Sequence, residues 1–243
     1  LVYIIPFLLG SITVFSFQPF NLTIINFLAL PLLFFILSNI NKRSKNTFRK
    51  KPFLINFFYV GYSFGIGFFL AGTYWISNSL TFDESFKNFI PLTIIIIPLA
   101  LGIFFGLGTL VFSKYFKFDF ASLLLFCFMI SIIDYFRSTI LTGFPWNLWA
   151  YSWSWFVEMI QILNPLGLFA FNLLSITFFC LPALIFMKKI KFRFLIIFLA
   201  LIIFFCNYLY GNFIINNNKI EIQEIIKDEK FINIKVVSPN FKL

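Results

Sequence analysis

Seven long apolar stretches, separated by short polar or basic segments, are the feature that most limits how this chain can fold. Each approaches the roughly 20 residues that a helix needs to cross the hydrocarbon core of a bilayer. Backbone groups in hydrocarbon must find hydrogen-bond partners within their own segment, so each stretch predicts a transmembrane helix. The first two are short and joined by Gln18 to Asn21, which allows a tight hairpin. The predicted spans cover residues 2–17, 22–37, 53–80, 89–112, 120–141, 156–187 and 194–210.

The composition agrees with an integral membrane protein. Apolar residues make up 60% of the chain and charged residues 12%, and the mean hydropathy is +0.94. No water-soluble surface of ordinary composition can be drawn around such a chain. Residues 2–17 lack a basic leading segment and a small-residue cleavage site, so we interpret them as a span and not as a cleaved signal peptide. We expect an all-α polytopic membrane bundle with about seven transmembrane helices.

Basic residues mark alternate loops and predict the orientation of the chain. Twelve of the 19 follow the second, fourth or sixth span, whereas the opposite loops carry Asp83, Glu84 and Lys87 or, after the fifth span, no charge before Glu158. Short cytoplasmic loops collect Lys and Arg, so we expect the N-terminus inside and the segment after Tyr210 outside. The net charge of +10 is then mainly a topology signal, with contact to anionic lipid headgroups as a secondary interpretation. Such dispersed charges do not predict nucleic-acid binding. The twelve are Lys42, Arg43, Lys45, Arg49, Lys50, Lys51, Lys114, Lys117, Lys188, Lys189, Lys191 and Arg193.

Glycines recur along the third and fourth spans. In lipid, small residues let helix backbones approach one another, so the pattern favours close helix packing over a role in ligand binding. The third span ends in an aromatic and hydroxyl cluster that includes Tyr74 and Trp75, which by itself is typical of an interfacial belt. The glycines are Gly61, Gly65, Gly72, Gly102 and Gly106.

The fifth span carries the charges that lie well inside an apolar run, Asp134 and Arg137. Their spacing of three residues places them on one face of a helix. At a rise of ~1.5 Å per residue, Asp134 lies roughly 10 Å below Leu141 and Arg137 roughly 6 Å below it. Arg137 can extend toward the interface, but the shorter Asp134 cannot. Two interpretations stay open: a structural ion pair, and a binding feature near the outer leaflet.

The fifth span ends in the stretch LTGFPWNLWAYSW, residues 141–153. Gly143 can take the left-handed conformation that ends a helix, Phe144 is extended by the following proline, and Pro145 has no backbone donor. We expect a membrane-embedded loop that lines a cavity protected by protein, because free backbone polar groups cannot face hydrocarbon. We also expect the indoles of this region to lie at headgroup level. They are Trp146, Trp149, Trp153 and Trp155.

The order of an acidic residue, two residues, Arg and then Thr-Gly-Phe-Pro-Trp resembles the apolipoprotein N-acyltransferase family. It is matched by Asp134, Arg137 and residues 142–146. Residues 65–80, GIGFFLAGTYWISNSL, are similar to the third span of that family, and residues 234–241, IKVVSPNF, resemble the first strand of its carbon-nitrogen hydrolase domain. The motifs follow one another in the family's order across nearly the whole chain.

The resemblance implies a division into two parts. Residues 1–211 would form the transmembrane domain, with its N-terminus in the cytoplasm. Residues 212–243 would be a linker and the beginning of an extracytoplasmic carbon-nitrogen hydrolase-like domain, truncated after its first strand. The sequence departs from the family at two positions, with Asp134 in place of the usual Glu and Ser238 in place of the usual Gln. Asp keeps the charge with a shorter reach, so a paired role survives.

The implied chemistry is acyl transfer from a phospholipid to the N-terminal diacylglyceryl-cysteine of lipoproteins, at the bacterial inner membrane. A Cys thiolate, activated by a Glu, takes the acyl chain as a thioester and passes it to the α-amine. A Lys helps to stabilise the oxyanion. The resemblance places these three residues beyond Leu243, so we expect this fragment to be inactive alone. We expect a monomer that needs no cofactor. The predicted substrate-binding residues are Gly143, Phe144, Pro145, Trp146, Asp134, Arg137, Tyr74 and Trp75.

The residues do not predict a metal site. The chain contains no His, and Cys127, Cys180 and Cys206 all lie in apolar runs, away from any base, as inert small side chains would. Two other functions stay open beside the acyltransferase. A multi-span transporter would show an internal repeat with broken helices in matching positions, and we find no such repeat. The second of these functions is that of a non-enzymatic lipid-binding membrane module.

Overall fold

The computed structural model describes residues 2–45, 52–140, 143 and 145–227, and these form a bundle of α-helices joined by short 3-10 helices and turns. No strand occurs among them. Residues 234–241, which resemble the first strand of the hydrolase domain, lie outside the described residues. The α-helices are α1 (Ile4–Thr13), α2 (Asn26–Lys45), α3 (Pro52–Thr73), α4 (Ile90–Phe112), α5 (Phe120–Thr139), α6 (Val157–Ile160), α7 (Leu163–Leu166), α8 (Leu168–Phe179), α9 (Pro182–Phe186) and α10 (Arg193–Lys227).

Six helical segments of the described chain are long and apolar enough to cross a membrane, where the sequence predicted about seven. The difference is the first segment, which with its 3-10 extension covers only Ile4–Ser16. Thirteen helical residues rise about 20 Å, short of the ~30 Å hydrocarbon core. The six are Thr23–Arg43, Ile55–Thr81, Glu84–Tyr115, Phe120–Thr139, Leu168–Phe186 and Arg193–Ile226.

The short helix α1 reverses into α2 through a tight turn, as the sequence allowed. The backbone N–H of Leu22 donates to the carbonyl of Phe15 at 2.9 Å across this turn. A side chain at Gly10 would run into the backbone of α3 near Phe64, so α1 lies directly against α3. The predicted close packing of α3 on α4 is confirmed, because Gly65 faces Gly102 with no room for a side chain between them.

The sixth predicted span, 156–187, is wrong as one continuous helix. Its first third forms the two short helices α6 and α7, and only Leu168–Phe186 is long enough to span. Gly167, at φ 83°, lies between α7 and α8. That left-handed conformation is one which glycine adopts without steric cost, so the chain can turn sharply there. Pro182 then starts α9 at a position where a helix tolerates a missing donor.

The seventh predicted span ends at Tyr210, but α10 continues without interruption to Lys227. Its 35 residues extend about 52 Å, well beyond the ~30 Å core, so the polar part after Tyr210 is a helical extension. Gly211 stays helical and lies against the carbonyl of Glu158, where a side chain would not fit. Asn207 donates to the carbonyl of Met159 at 3.0 Å and fixes α10 on α6.

The bundle has two chemically different ends. Lys42 at the end of α2 and Lys117 and Lys189 from two loops line one cavity, and we call this side the basic end. Tyr3 donates to Asn56 at 2.8 Å, which places the first residues of α1 beside the first turns of α3. The turn after α1, the end of α3 and the segment after α5 meet at the opposite side, which we call the loop end.

Candidate functional site

A cavity of about 380 Å³ opens at the loop end, and we call it the loop-end cavity. Three separate parts of the chain form its wall: the turn after α1, the end of α3, and the segment that follows α5. It brings together three of the predicted site residues, Tyr74, Trp75 and Trp146. The full lining is Val14, Phe17, Gln18, Pro19, Phe20, Ala71, Gly72, Tyr74, Trp75, Trp146, Asn147, Tyr151 and Ser154.

The segment after α5 leaves the helix as predicted. α5 ends at Thr139, two residues before the predicted limit, and Gly143 has a φ of 73°. A side chain at Gly143 would also run into the carbonyl oxygen of Ser138, so both conformation and space require glycine here. Pro145 is exposed, and Phe144 lies outside the described residues. The left-handed Gly143 and the exposed Pro145 redirect the chain into the loop-end cavity.

A buried polar network holds this segment in place. Arg137 donates through one Nη to the Trp146 carbonyl at 2.7 Å and through the other to Oδ1 of Asp134 at 3.1 Å. Asn172 of α8 donates to the remaining carboxylate oxygen at 2.8 Å and accepts from the Ala150 N–H at 2.9 Å. The network therefore holds the segment at two backbone positions four residues apart, Trp146 through Arg137 and Ala150 through Asn172.

The side chains of Asp134 and Arg137 have no exposed surface. The Arg137 guanidinium also lies over the ring of Phe69, 5.2 Å from its centroid, where the negative face of the ring attracts a cation. Neither residue lines the loop-end cavity. Of the two interpretations left open by the sequence, this geometry favours a structural ion pair. The pair binds the backbone of the segment after α5.

Two indoles from distant parts of the chain meet beside the cavity. The ring centroids of Trp75 and Trp146 are 5.1 Å apart, a separation typical of stabilising aromatic pairs. Trp75 Nε1 donates to the carbonyl of Gly72 at 3.0 Å, which fixes the angle of its ring. Trp146 stays 45% exposed. Its ring presents an apolar surface that is open to a ligand, while its backbone carbonyl is held by Arg137.

Two of the four indoles after α5 are buried within the bundle, and the depth of the four in the membrane stays a prediction. Trp149 is fully buried and stacks on Phe68 at 5.5 Å. Trp153 is also buried, and its Nε1 donates to Ser175 at 3.1 Å. The 3-10 helix Trp149–Trp153 turns both rings inward, where each adds a large apolar area to the core. Trp146 and Trp155 remain half exposed.

The cavity includes polar groups that the sequence argument did not identify. Asn147 is 8% exposed, and its Nδ2 has no hydrogen-bond partner among the described residues. Its φ of 54° is a conformation in which Asn is enriched, and Gly72 leaves the space that its amide occupies. The Tyr151 side chain also lines the cavity, and burial raises the pKa of its hydroxyl, which keeps it a neutral donor. Asn147 could have been suspected from its place after Trp146, whereas no local signal marks Tyr151.

The described residues contain no group of three or more His, Cys, Asp or Glu side chains placed to hold a metal ion. Cys127 and Cys180 are buried, and Cys206 is exposed on α10. The lining of the loop-end cavity consists of aromatic and apolar side chains, with the amide of Asn147 and the phenol of Tyr151 among them. Such a lining can bind an amphipathic molecule.

Comparison with known proteins agrees with the sequence motifs. Residues 9–181 match the apolipoprotein N-acyltransferase N-terminal domain. Over 186 residues, the chain is 27% identical to the apolipoprotein N-acyltransferase of Rhizobium meliloti (strain 1021), covering 76% of this chain and 35% of that protein. The protein of that name from Sinorhizobium medicae (strain WSM419) is 29% identical over 189 residues, with coverage of 76% and 35%.

A third relative, from Brucella melitensis biotype 1, is 27% identical over 180 residues, covering 74% of this chain and 34% of its own length. The chain thus spans about a third of the length of the curated relatives it matches. The matched region runs from α1 to the start of α9 and includes every described wall of the loop-end cavity. The chain belongs to the apolipoprotein N-acyltransferase family, of which it contains the N-terminal membrane domain.

Proposed function

We propose that this chain is the membrane part of an enzyme that transfers an acyl chain from a phospholipid to the N-terminal diacylglyceryl-cysteine of lipoproteins. In this proposal a Cys, a Glu and a Lys outside residues 1–243 perform the chemistry. The thiolate attacks an acyl ester of the phospholipid, which forms a thioester and releases the lysophospholipid. The α-amine of the lipoprotein then attacks the thioester, which forms an amide, returns the thiolate and transfers the amine proton to the Glu. The membrane part admits both lipid substrates laterally and holds their chains below the reacting groups.

One observation carries this proposal: a cavity walled by the Trp75 and Trp146 pair opens at the loop end, within the region that matches the family. Exposed indoles suit a substrate that is apolar along its chains and polar at its head. Asn147 and Tyr151 line the same space, and in this proposal their amide and hydroxyl groups donate to ester or phosphate oxygens. We assign Tyr74, Trp75, Pro145 and Trp146 to the mouth of the site.

We assign Asp134 and Arg137 to positioning rather than to substrate contact. Both are fully buried. Arg137 donates to the Trp146 carbonyl, and Asp134 accepts from Arg137 and from Asn172, which in turn accepts from the Ala150 N–H. A rigid attachment of this kind keeps a binding residue in place at little entropic cost when the substrate arrives. Gly143 then serves as the turn that brings the segment to the cavity.

The proposed orientation follows from the charge pattern. The basic end lies in the cytoplasm and the loop end faces the periplasm of a bacterial inner membrane, because short cytoplasmic loops collect Lys and Arg. α10 starts beside the basic end and rises past the loop end to Lys227. The division proposed from the sequence, 1–211 and 212–243, then makes the polar end of α10 a link toward a periplasmic domain. The protein acts as a monomer and uses no cofactor.

The family match favours acyl transfer over the alternative of a multi-span transporter. A transporter path would need polar or charged groups lining an opening through the bundle. The membrane-embedded charges of the described chain, Asp134 and Arg137, instead pair with each other and with backbone groups. No observation specifically favours the non-enzymatic lipid-binding module.

Replacing Trp146 with Ala in the full-length protein tests the proposal. We expect about a tenfold fall in kcat/KM, which corresponds to the loss of about 1.4 kcal/mol of substrate contact. Acyl transfer from phospholipid to a synthetic diacylglyceryl-lipopeptide gives the rate. Thioester formation is measured separately, and shows which of the two substrates the indole binds.

Trp155→Ala is the matched control. Trp155 has nearly the same exposure as Trp146, 47% against 45%, and does not line the cavity. Both variants should insert in the membrane and show the same unfolding temperature within a few degrees. An equal loss of activity in the two variants, or full activity in Trp146→Ala, would remove the loop-end cavity from the substrate site.

A further inference from the structure

A second cavity lies at the basic end, at the opposite side of the bundle from the site described above. Its volume is about 620 Å³. Three segments that are far apart in sequence, the end of α2 and two loops, each place one lysine on its wall. Ser38, Asn39 and Asn41 of α2 supply neutral hydrogen-bonding groups between them. The lysines are Lys42, Lys117 and Lys189.

Hydrogen bonds fix the backbone that carries these lysines. The Ser38 hydroxyl, buried on α2, donates to the carbonyl of Lys117 at 3.2 Å. The Lys117 N–H in turn donates to the Ser122 hydroxyl at 2.8 Å. The turn that carries Lys189 is closed by the N–H of Ile190, which donates to the Met187 carbonyl at 3.0 Å. The positions of the Lys117 and Lys189 backbones relative to the cavity are therefore set by the fold.

The three ammonium groups form no ion pair with any carboxylate of the described residues. Asp119, which is close to Lys117 in sequence, accepts from the Ser122 N–H at 2.9 Å and caps α5. Like charges that converge without a counter-charge repel one another. An anion in the cavity would relieve that repulsion and could accept hydrogen bonds from the lysines and asparagines together.

An apolar groove of about 530 Å³ continues from this cavity along α2. The two share Asn39 and Phe118, so the polar space opens directly into the apolar one. The α2 side of the groove follows one helical face from Phe27 through Pro31 and Phe35 to Asn39. α9 closes the other side with Pro182 and Phe186.

From this juxtaposition we propose that the basic end binds an anionic phospholipid, with its phosphate among Lys42, Lys117 and Lys189 and one acyl chain in the groove along α2. Twelve residues separate Phe27 from Asn39, a length of about 18 Å along the helix. One leaflet of the hydrocarbon core is about 15 Å thick. The groove therefore has the length of a lipid tail that begins at the headgroup level of the basic end.

The length and polarity of the groove distinguish a lipid from a free phosphate. A soluble anion needs only the lysines, whereas a phospholipid also covers the apolar wall. The general attraction of anionic lipid to juxtamembrane lysines is worth about fivefold in affinity per lysine. Lys42, Lys117 and Lys189 should contribute more than this to the affinity, because the cavity holds them around one phosphate. This inference does not rest on the proposed function, since it concerns the opposite end of the bundle and needs no acyl transfer to be measured.

The test measures lipid binding to the purified protein in neutral detergent by native mass spectrometry. Dioleoyl phosphatidylglycerol is the anionic probe and dioleoyl phosphatidylcholine the zwitterionic one. We expect at least about tenfold tighter binding of phosphatidylglycerol. The triple variant Lys42→Ala/Lys117→Ala/Lys189→Ala should remove that preference. Equal binding of the two lipids to the unmodified protein would overturn the proposal.

A matched triple variant controls for general surface charge. Lys114→Ala/Lys188→Ala/Lys191→Ala removes the same charge from the segments that carry Lys117 and Lys189, at positions outside the cavity lining. We expect its phosphatidylglycerol affinity to fall less than half as much as that of the cavity triple. Equal losses in the two triples would show a nonspecific attraction and would overturn the site.

A variant of the groove tests the acyl chain. Leu32→Trp fills the groove, and Leu107→Trp places the same side chain on α4, outside it, at a position of similar exposure. Only Leu32→Trp should weaken phosphatidylglycerol binding, by about fivefold. If Leu32→Trp has no effect and inorganic phosphate displaces the lipid, the cavity recognises a phosphate alone and the lipid proposal is wrong.

Discussion

The charges at the two ends of the bundle have opposite surroundings. At the loop end, Asp134 and Arg137 have no exposed surface and pair with each other and with backbone or amide groups. At the basic end, Lys42, Lys117 and Lys189 are exposed, open onto a cavity and form no ion pair with a described carboxylate. The first arrangement keeps a backbone segment in position, whereas the second leaves its charge available to an outside anion.

The cost of burying charge explains this difference. An unpaired charge inside the bundle would lose several kcal/mol of solvation, so Asp134 and Arg137 must be satisfied by the chain itself. A lysine at the end of a span keeps its ammonium group in water or among headgroups and needs no partner. Stability should therefore depend on the charges of the loop end, and lipid contact on those of the basic end.

The largest expected effect is that of Asp134→Ala, which leaves the Arg137 guanidinium buried without its carboxylate. We expect a loss of about 3–5 kcal/mol in the free energy of unfolding, measured by titration from mild detergent into sodium dodecyl sulfate. Asp134→Ala/Arg137→Met removes both charges and should recover part of the loss. A decrease below about 1 kcal/mol for Asp134→Ala would break the comparison, because the charges of the loop end would then not support the fold.

An intermediate effect is expected for Asn172→Ala. The variant leaves the Ala150 N–H and one oxygen of Asp134 without their partners, which should cost about 2 kcal/mol in the same unfolding measurement. Asn88→Ala is its control, since Asn88 lies exposed in the 3-10 helix Glu84–Phe89. If the two variants unfold alike, Asn172 does not link the ion pair to the segment after α5.

The smallest effect on stability is expected at the basic end. The triple variant Lys42→Ala/Lys117→Ala/Lys189→Ala should change the free energy of unfolding by no more than about 0.5 kcal/mol per residue, because exposed side chains without ion pairs contribute little. The measurement is made in neutral detergent without added anionic lipid. A loss comparable to that of Asp134→Ala would mean that these lysines hold the fold, and the contrast between the two ends would fail.

Local features of the sequence predicted the parts of the site that depend on one segment. Gly143, in the segment after α5, has the expected left-handed conformation. Gly65 lies in the expected close contact of α3 with α4. The spacing of Asp134 and Arg137 placed both charges on one face of a helix, and they form an ion pair there. In each case steric limits or helical periodicity act within a few residues, so the sequence alone contains the information.

Other features depended on distant residues and were mispredicted or missed. The sequence did not show that Trp149 and Trp153 are buried, and the 3-10 helix Trp149–Trp153 places Trp149 on Phe68 of α3. The predicted span 156–187 is interrupted, and α10 does not end at Tyr210. Apolar periodicity does not distinguish a buried indole from an interfacial one, or a spanning helix from two short helices at its end.

The sequence by itself determined that this chain is a membrane-embedded helical bundle with its basic residues collected at one end, because hydrocarbon requires apolar, internally hydrogen-bonded segments. Only the tertiary structure decided what the polar groups bind. Thr23 donates to the carbonyl of Ser152 at 2.7 Å, across 129 positions of the chain. The walls of the loop-end cavity and of the cavity at the basic end likewise combine parts of the chain that are far apart in sequence. Such pairings follow from how the helices pack, which no local pattern of residues encodes.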